Sequence, residues 1–148
     1  EGFQAGLSWI TVLKKRARYR EALFGFDAQR LALLSDEEIE ELMLDAGIIR
    51  NRLKLKAARQ NAQAWLRLDD PVALLWSFVG GVPQINHFKD RSEVPAITPA
   101  AEAMSKALKK VGFTFVGPTI CYAYMQAAGM VMDHTTDCDR YPLLVNPR

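Results

Sequence analysis

Three groups of residues in this chain have the types and spacing to do chemistry. Glu1, Ala5 and Trp9 stand at i, i+4 and i+8. On a helix that spacing puts a carboxylate and an indole on one face. A carboxylate beside an aromatic wall can hold a flat, cationic or amino-bearing base, and both side chains would then open onto one cavity. The same spacing also arises when the indole is core and the carboxylate a frayed terminal charge. Gly2 and Gly6 interrupt this stretch. Each costs a helix up to roughly 1 kcal/mol against Ala, so each needs a reason. Glycine permits a close, flat approach by a ligand or another backbone.

The second group lies in LMLDAGIIRNRLKLKAARQNA, residues 42–62. Helical apolar spacing stops at Ala46-Gly47 and resumes after Asn51, now laced with Arg50, Arg52, Lys54, Lys56 and Arg59. Two helices joined through Ala46-Gly47-Ile48-Ile49 suggest a helix-hairpin-helix, with Gly47 allowing a positive φ and a close approach of the backbone to another surface. Amides after the turn, backed by the positive end of the second helix dipole, would form an anion site flanked by Arg50 and Arg52. A DNA phosphate fits it, and such a contact positions a duplex without reading its sequence. An ordinary helical hairpin with solvated basic residues is the alternative. The third group is His134 and Cys138, spaced i, i+4, which is half of a Cys₂His₂ zinc site and by spacing alone no more than that.

The elements that must position these groups are helical nearly everywhere. Leu7, Ile10, Leu13 and Ala17 recur at three- and four-residue steps. Asp27 can cap a short helix, and Ser35 with Glu38 forms a capping box. Leu55, Ala58, Ala62 and Trp65 make the next stripe, and Pro71 opens another helix. Residues 81–97 read as loop. Thr98-Pro99 starts a helix that Gly112 stops, and Gly117-Pro118 starts a last one. Residues 131–148 read as an irregular tail. The expectation is an all-α fold: one compact helical domain over 1–148 that contains the hairpin at 42–62.

Composition narrows the class. The 148 residues are 49% hydrophobic and 24% charged, which suits a soluble globular chain. No apolar run reaches a membrane span. Two cysteines, Cys121 and Cys138, are too few for a disulfide scaffold, so a reducing cytoplasm is expected. A net charge of +2 hides segregation. KKRARYR (14–20) and residues 50–59 are basic and SDEEIEE (35–41) is acidic, as an anionic partner or plain solvated helix faces would allow. The chain opens at Glu1, without Met, on a stretch that already reads as helix, so residues upstream are expected.

Taken together, EGFQAGLSWITVLKKR (1–16), DAGIIRNRLKLKAARQNA (45–62), LLWSFV (74–79), SKALKKVGFTFVGPTICYAYMQAAGMVMDH (105–134) and the closing His134-x-x-x-Cys138 resemble the DNA-3-methyladenine glycosylase I family across essentially the whole chain. The resemblance implies excision of 3-methyladenine from alkylated double-stranded DNA by cleavage of the N-glycosidic bond, within the helix-hairpin-helix superfamily. It implies Glu1 as the base-contacting, catalytic carboxylate and Trp9 as a pocket wall. Gln4, Gly6 and Leu7 would enter the duplex where the nucleotide is extruded. Gly47, Ile48, Ile49, Arg50 and Arg52 would grip the DNA backbone. It also implies a structural zinc held by His134 and Cys138 plus a Cys and a His from an N-terminal segment absent from this sequence. A family Tyr that faces the base is absent with it. No catalytic cofactor is implied, and a monomer is expected. Many superfamily members place an Asp a couple of dozen residues past the hairpin, where Asp69 and Asp70 stand, but this family does not rely on one. No lysine is marked as a lyase nucleophile. A non-catalytic hairpin module that only binds DNA, and a helical domain that binds only protein, remain as alternatives.

Overall fold

Helix boundaries follow the capping chemistry. In the computed structural model, which describes residues 1–145, Asp27 accepts a hydrogen bond from the Arg30 amide (2.8 Å) and opens α3 (Ala28–Ala32). It is preceded by α1 (Trp9–Leu13) and α2 (Arg16–Ala22). Ser35 opens α4 (Asp36–Leu42) with both bonds of the capping box. The Glu38 amide donates to Ser35 Oγ (3.1 Å), and the Ser35 amide donates to Glu38 Oε2 (2.8 Å). Asn51 caps α5 (Arg52–Leu66) by accepting from the Lys54 amide. Then come α6 (Pro71–Ser77), α7 (Pro99–Lys110), α8 (Pro118–Ala127) and α9 (Tyr141–Val145). The expected all-α class holds. The one sheet among the described residues is a parallel pair, β1 (Gln84–Ile85) with β2 (Val131–Met132).

The described chain resolves into two compact units. The first comprises 1–71 and 107–116. Its core is Tyr19, Leu23, Leu31, Leu34, Ile39, Ile48, Leu55 and Ala62, with Phe3 and Phe24 packed against it. Helix α5 is the spine. Its buried face carries Ala57, Ala62 and Ala64, and α3 packs against it. Polar side chains of α5 then satisfy carbonyls that a helix end leaves open. Gln63 donates to Ala32 O (2.9 Å) and Arg59 to Leu34 O (2.8 Å). Asn61 takes the Thr114 amide on its oxygen (2.8 Å) and donates to the Thr114 carbonyl (3.0 Å), while Gln60 donates to Gly112 O. Residues 112–116 are thereby clamped to α5.

The second unit comprises 72–106 and the chain from 117 onward. Leu75, Val79, Met104, Tyr122, Met125, Met130 and Val131 are buried there. Asp133 draws three donors together: Tyr122 OH (2.5 Å), Asn86 Nδ2 (2.7 Å) and Gln126 Nε2 (2.8 Å). The tail expected to be irregular over 131–148 is ordered in part. It contains β2 and α9, with Pro142 in the first turn of α9, where a missing N–H costs nothing. Residues 146–148 of that tail lie outside the described residues.

Candidate active site and nucleic-acid interface

The first seven residues are not the continuous helix their apolar spacing suggested. A single 3₁₀ turn, Gly2–Gln4, ends at Ala5 in extended backbone (ψ 119°), and Gly6 turns left-handed at φ 75°. The Leu7 amide closes this turn on Gln4 O (2.7 Å), and α1 begins only at Trp9. Gly6 therefore has a backbone reason, since a side chain is strained at that φ. The break also cancels the shared face. Glu1, Ala5 and Trp9 do not lie along one helix.

Glu1 lines a cavity of about 470 Å³ whose walls include Phe3, Trp65, Phe113 and Phe115. Two polar side chains join it there, Lys54 and Asn61. Trp9 is not in that lining and stays 45% exposed. The expectation of one cavity for Glu1 and Trp9 is corrected on this point. The aromatic walls beside Glu1 come instead from α5 and from the segment 112–116 held by Asn61. Leu7 is 39% exposed and heads a run of exposed apolar residues with Trp9, Ile10 and Leu13.

In the sequence Lys54 is one more charge of the basic run, and no lysine is marked there as a lyase nucleophile. It is 5% exposed, lines the cavity, and donates from Nζ to the carbonyls of Phe3 (2.7 Å) and Ala5 (2.6 Å). Its ammonium lies 5.9 Å from the Phe115 ring centroid. Burial lowers its pKa, while two carbonyl acceptors occupy the ammonium as a donor.

The hairpin runs from α4 to α5, and three expectations about it change. Gly47 is not in the left-handed region. Its requirement is space: a Cβ there would come within 2.6 Å of Arg18 Cγ and 2.9 Å of Asp45 Oδ1. The amides after the bend are not open to an anion either. Gly47 N–H donates to Asp45 Oδ1 (2.7 Å), Ile48 N–H to Asp45 O (3.4 Å) and Ile49 N–H to Tyr19 OH (3.1 Å). Ile48 itself is core. Finally, most of the positive charge is spent inside the first unit. Arg52 forms a two-point pair with Glu40 (2.7 and 2.6 Å), and Arg59 pairs with Asp36 (2.8 Å). The acidic and basic segments noticed in the sequence face each other. Arg50 is exposed and has no ion-pair partner among the described residues.

Helix α2 frames the bend from its other side. Lys15 Nζ donates to Ala46 O (2.8 Å), and Arg18 Nε pairs with Asp45 Oδ2 (2.7 Å). Asp45 is held below the usual carboxylate range, chiefly by the Gly47 amide and then by Arg18. Tyr19 is 2% exposed, stacks on Phe3 at 4.4 Å, and has its pKa raised by burial. The bend is rigid because side chains from α2 reach into it, a feature the sequence does not signal.

In the second unit, His134 Nδ1 and Cys138 Sγ lie 3.3 Å apart. Two donors on a tetrahedral zinc, at about 2.3 Å for sulfur and about 2.1 Å for nitrogen, stand about 3.6 Å from each other. The pair therefore fits as two ligands. Among the described residues no group of three or more such donors forms. No helix among them is long and apolar enough to cross a membrane.

A carboxylate on an aromatic-walled cavity thus lies in the same helical unit as a braced hairpin with an exposed arginine. The family model described as methyladenine glycosylase matches residues 1–141, and the chain belongs to that family. Over 146 residues it is 51% identical to DNA-3-methyladenine glycosylase 1 of Escherichia coli (strain K12), a match covering 96% of this chain and 78% of the relative. A crystal structure of a 3-methyladenine DNA glycosylase I matches at TM-score 0.92 with 50% identity, over 95% of this chain and 80% of that one. The Staphylococcus aureus enzyme, solved for the structural basis of 3-methyladenine recognition, matches at TM-score 0.90 with 34% identity, over 95% and 77%.

Proposed function

We propose that this chain removes 3-methyladenine from alkylated double-stranded DNA as a monofunctional glycosylase, with Glu1 as the carboxylate that captures the base. Family membership over residues 1–141 carries the activity. The placement of Glu1 on the aromatic-walled cavity supports its role. The target base must leave the stack before its glycosidic bond can be reached. Exposed Leu7, after the left-handed Gly6, suits a wedge that fills the gap, with Gln4 beside it. Trp9, two residues further on, is available to the extruded base from outside the Glu1 cavity.

The chemistry asks little acid of the protein. N3-methylation makes adenine a cation, so the base departs neutral, taking the electron pair of the C1′–N9 bond. Water supplies the oxygen that bonds to C1′ and releases its proton. A carboxylate that hydrogen-bonds the exocyclic amine binds the cationic ground state, and it must also follow the charge as it moves to the sugar. Arg50, exposed beside the bend and without an ion-pair partner among the described residues, serves the phosphate backbone. His134 and Cys138 would supply half of a structural zinc site, which needs two more donors, and a bound zinc would cross-link the tail without entering the reaction.

Release of 3-methyladenine from methylated duplex DNA tests the reading. Glu1→Gln is expected to slow release by about 10–100-fold while affinity for undamaged duplex stays within about twofold. No release by the unaltered chain refutes the activity. Equal release by Glu1→Gln refutes the role of Glu1.

A further inference from the structure

The loop that carries Glu1 and Leu7 is anchored from an unexpected direction. The Lys54 ammonium is buried, and it binds the two carbonyls that flank Gln4, those of Phe3 and Ala5. Lys54 is the third residue of α5, so it is also one turn from Arg50 and the hairpin. One rigid helix start thus holds the backbone-facing corner by its chain and the base-facing loop by a side chain. We propose that Lys54 is a positioning residue for excision, setting the Glu1–Leu7 loop in register with the hairpin at the head of α5; this rests on the glycosylase reading above.

The physical case turns on what else could hold that loop. Within Glu1–Leu7 the side chain of Phe3 packs on the core against Tyr19, and the segment's own hydrogen bonds, such as Gln4 N–H to Glu1 O (2.8 Å) and Leu7 N–H to Gln4 O (2.7 Å), are local. Those bonds fix the turn's shape but not where the turn sits. Phe3 rests on Tyr19 of α2, and the hydrogen-bonded tie to α5 is the pair of bonds from Lys54. Bonds from a charged donor to neutral carbonyls are stronger than neutral ones. An ammonium also accepts nothing, so all three of its protons can be aimed at acceptors. A point charge on a flexible stem can serve two carbonyls at once. An effective catalyst needs reacting groups held to within fractions of an ångström, and a loop with two glycines lacks that order unless something outside it supplies it.

The test uses Lys54→Met, which keeps the length and apolar packing, and Lys54→Arg, which keeps the positive donor. Three readouts are compared: single-turnover release of 3-methyladenine, affinity for undamaged duplex, and amide hydrogen exchange over residues 4–8. In Lys54→Met the release rate is expected to fall at least about tenfold, with undamaged-duplex affinity within about twofold and faster exchange at Gln4 and Leu7. Lys54→Arg should recover part of the rate and of the protection. Unchanged exchange in Lys54→Met overturns the proposal whatever the enzyme does. Equal losses in release and in undamaged-duplex affinity overturn it too, since they mark a general structural role. So does an arginine variant no better than methionine. If the unaltered chain releases no base, the glycosylase reading falls, and the exchange data alone still decide whether Lys54 holds the loop.

Discussion

Replacing Tyr19 with Phe tests the claim that the hairpin amides are already occupied by the protein. The ring of Tyr19 stays, so its stack on Phe3 and its place in the core are kept and no cavity opens. Only the hydroxyl goes, and with it the acceptor for the Ile49 amide at 3.1 Å. Losing one neutral hydrogen bond and leaving a part-buried amide without its partner costs about 1–2 kcal/mol. At about 2.1 cal/mol/K of unfolding entropy per residue, 148 residues give about 0.3 kcal/mol/K, so the melting temperature should drop by about 3–6 °C. Differential scanning calorimetry at pH 7 measures it. The pH dependence adds a second check. Burial raises the pKa of Tyr19 above its unfolded value, so the folded state keeps the proton after the unfolded chain has lost it. The associated stability is complete below about pH 10 and declines as pH rises through the folded value. The gap between wild type and Tyr19→Phe should narrow in that alkaline range. An unchanged melting temperature at pH 7 would mean that the Ile49 amide is equally well served by water. A rise in affinity for undamaged duplex would mean that the freed amide is a phosphate ligand which Tyr19 merely competes for.

Arg50→Ala should weaken binding to any duplex and flatten the salt dependence by about one unit of slope, whereas Arg52→Ala, whose guanidinium is tied to Glu40, should do less. Filter-binding titrations at several salt concentrations decide it, and a larger effect at Arg52 contradicts the pairing argument. Leu7→Ala should slow nucleotide extrusion by about tenfold without changing stability, because the side chain is exposed. Stopped-flow fluorescence from a 2-aminopurine next to the lesion reports it, and an unaltered rate removes the wedge. Cobalt(II) titrated onto a longer chain that carries the two further donors upstream of Glu1 should give a thiolate-to-metal absorption band that Cys138→Ser lacks; its absence from that unaltered longer chain dismisses Cys138 as a ligand.

The helix starts were legible because capping is local. Asp27, Ser35 with Glu38 and Thr98 each act within three residues, and each does so in the structure. Glu1 was singled out by the ordered block of sequence that carries the family resemblance, and it lines the aromatic-walled cavity. What could not be read was where long side chains end. Lys54, Arg52 and Arg59 look alike in a basic run, yet one is buried under a loop and two answer acidic residues of α4. The bend was legible as a bend; of the two reasons for its glycine, the positive φ does not occur and the close approach does. Only coordinates show Arg18 packed over Gly47. The short strands β1 and β2 were invisible, since two residues carry no alternation, and Pro142 disguised the last helix as loop.

The clamp between Asn61 and Thr114 has a consequence for biosynthesis. Residues 1–71 leave the ribosome long before Phe113 and Phe115 are made, so one wall of the cavity and the partner of the Asn61 amide arrive late. The first unit is discontinuous in the chain. It cannot finish folding on a nascent polypeptide that stops at α6, and loop closure over some fifty residues precedes its completion. A gene truncated after α5 would yield a spine with a row of unanswered amides rather than a smaller enzyme.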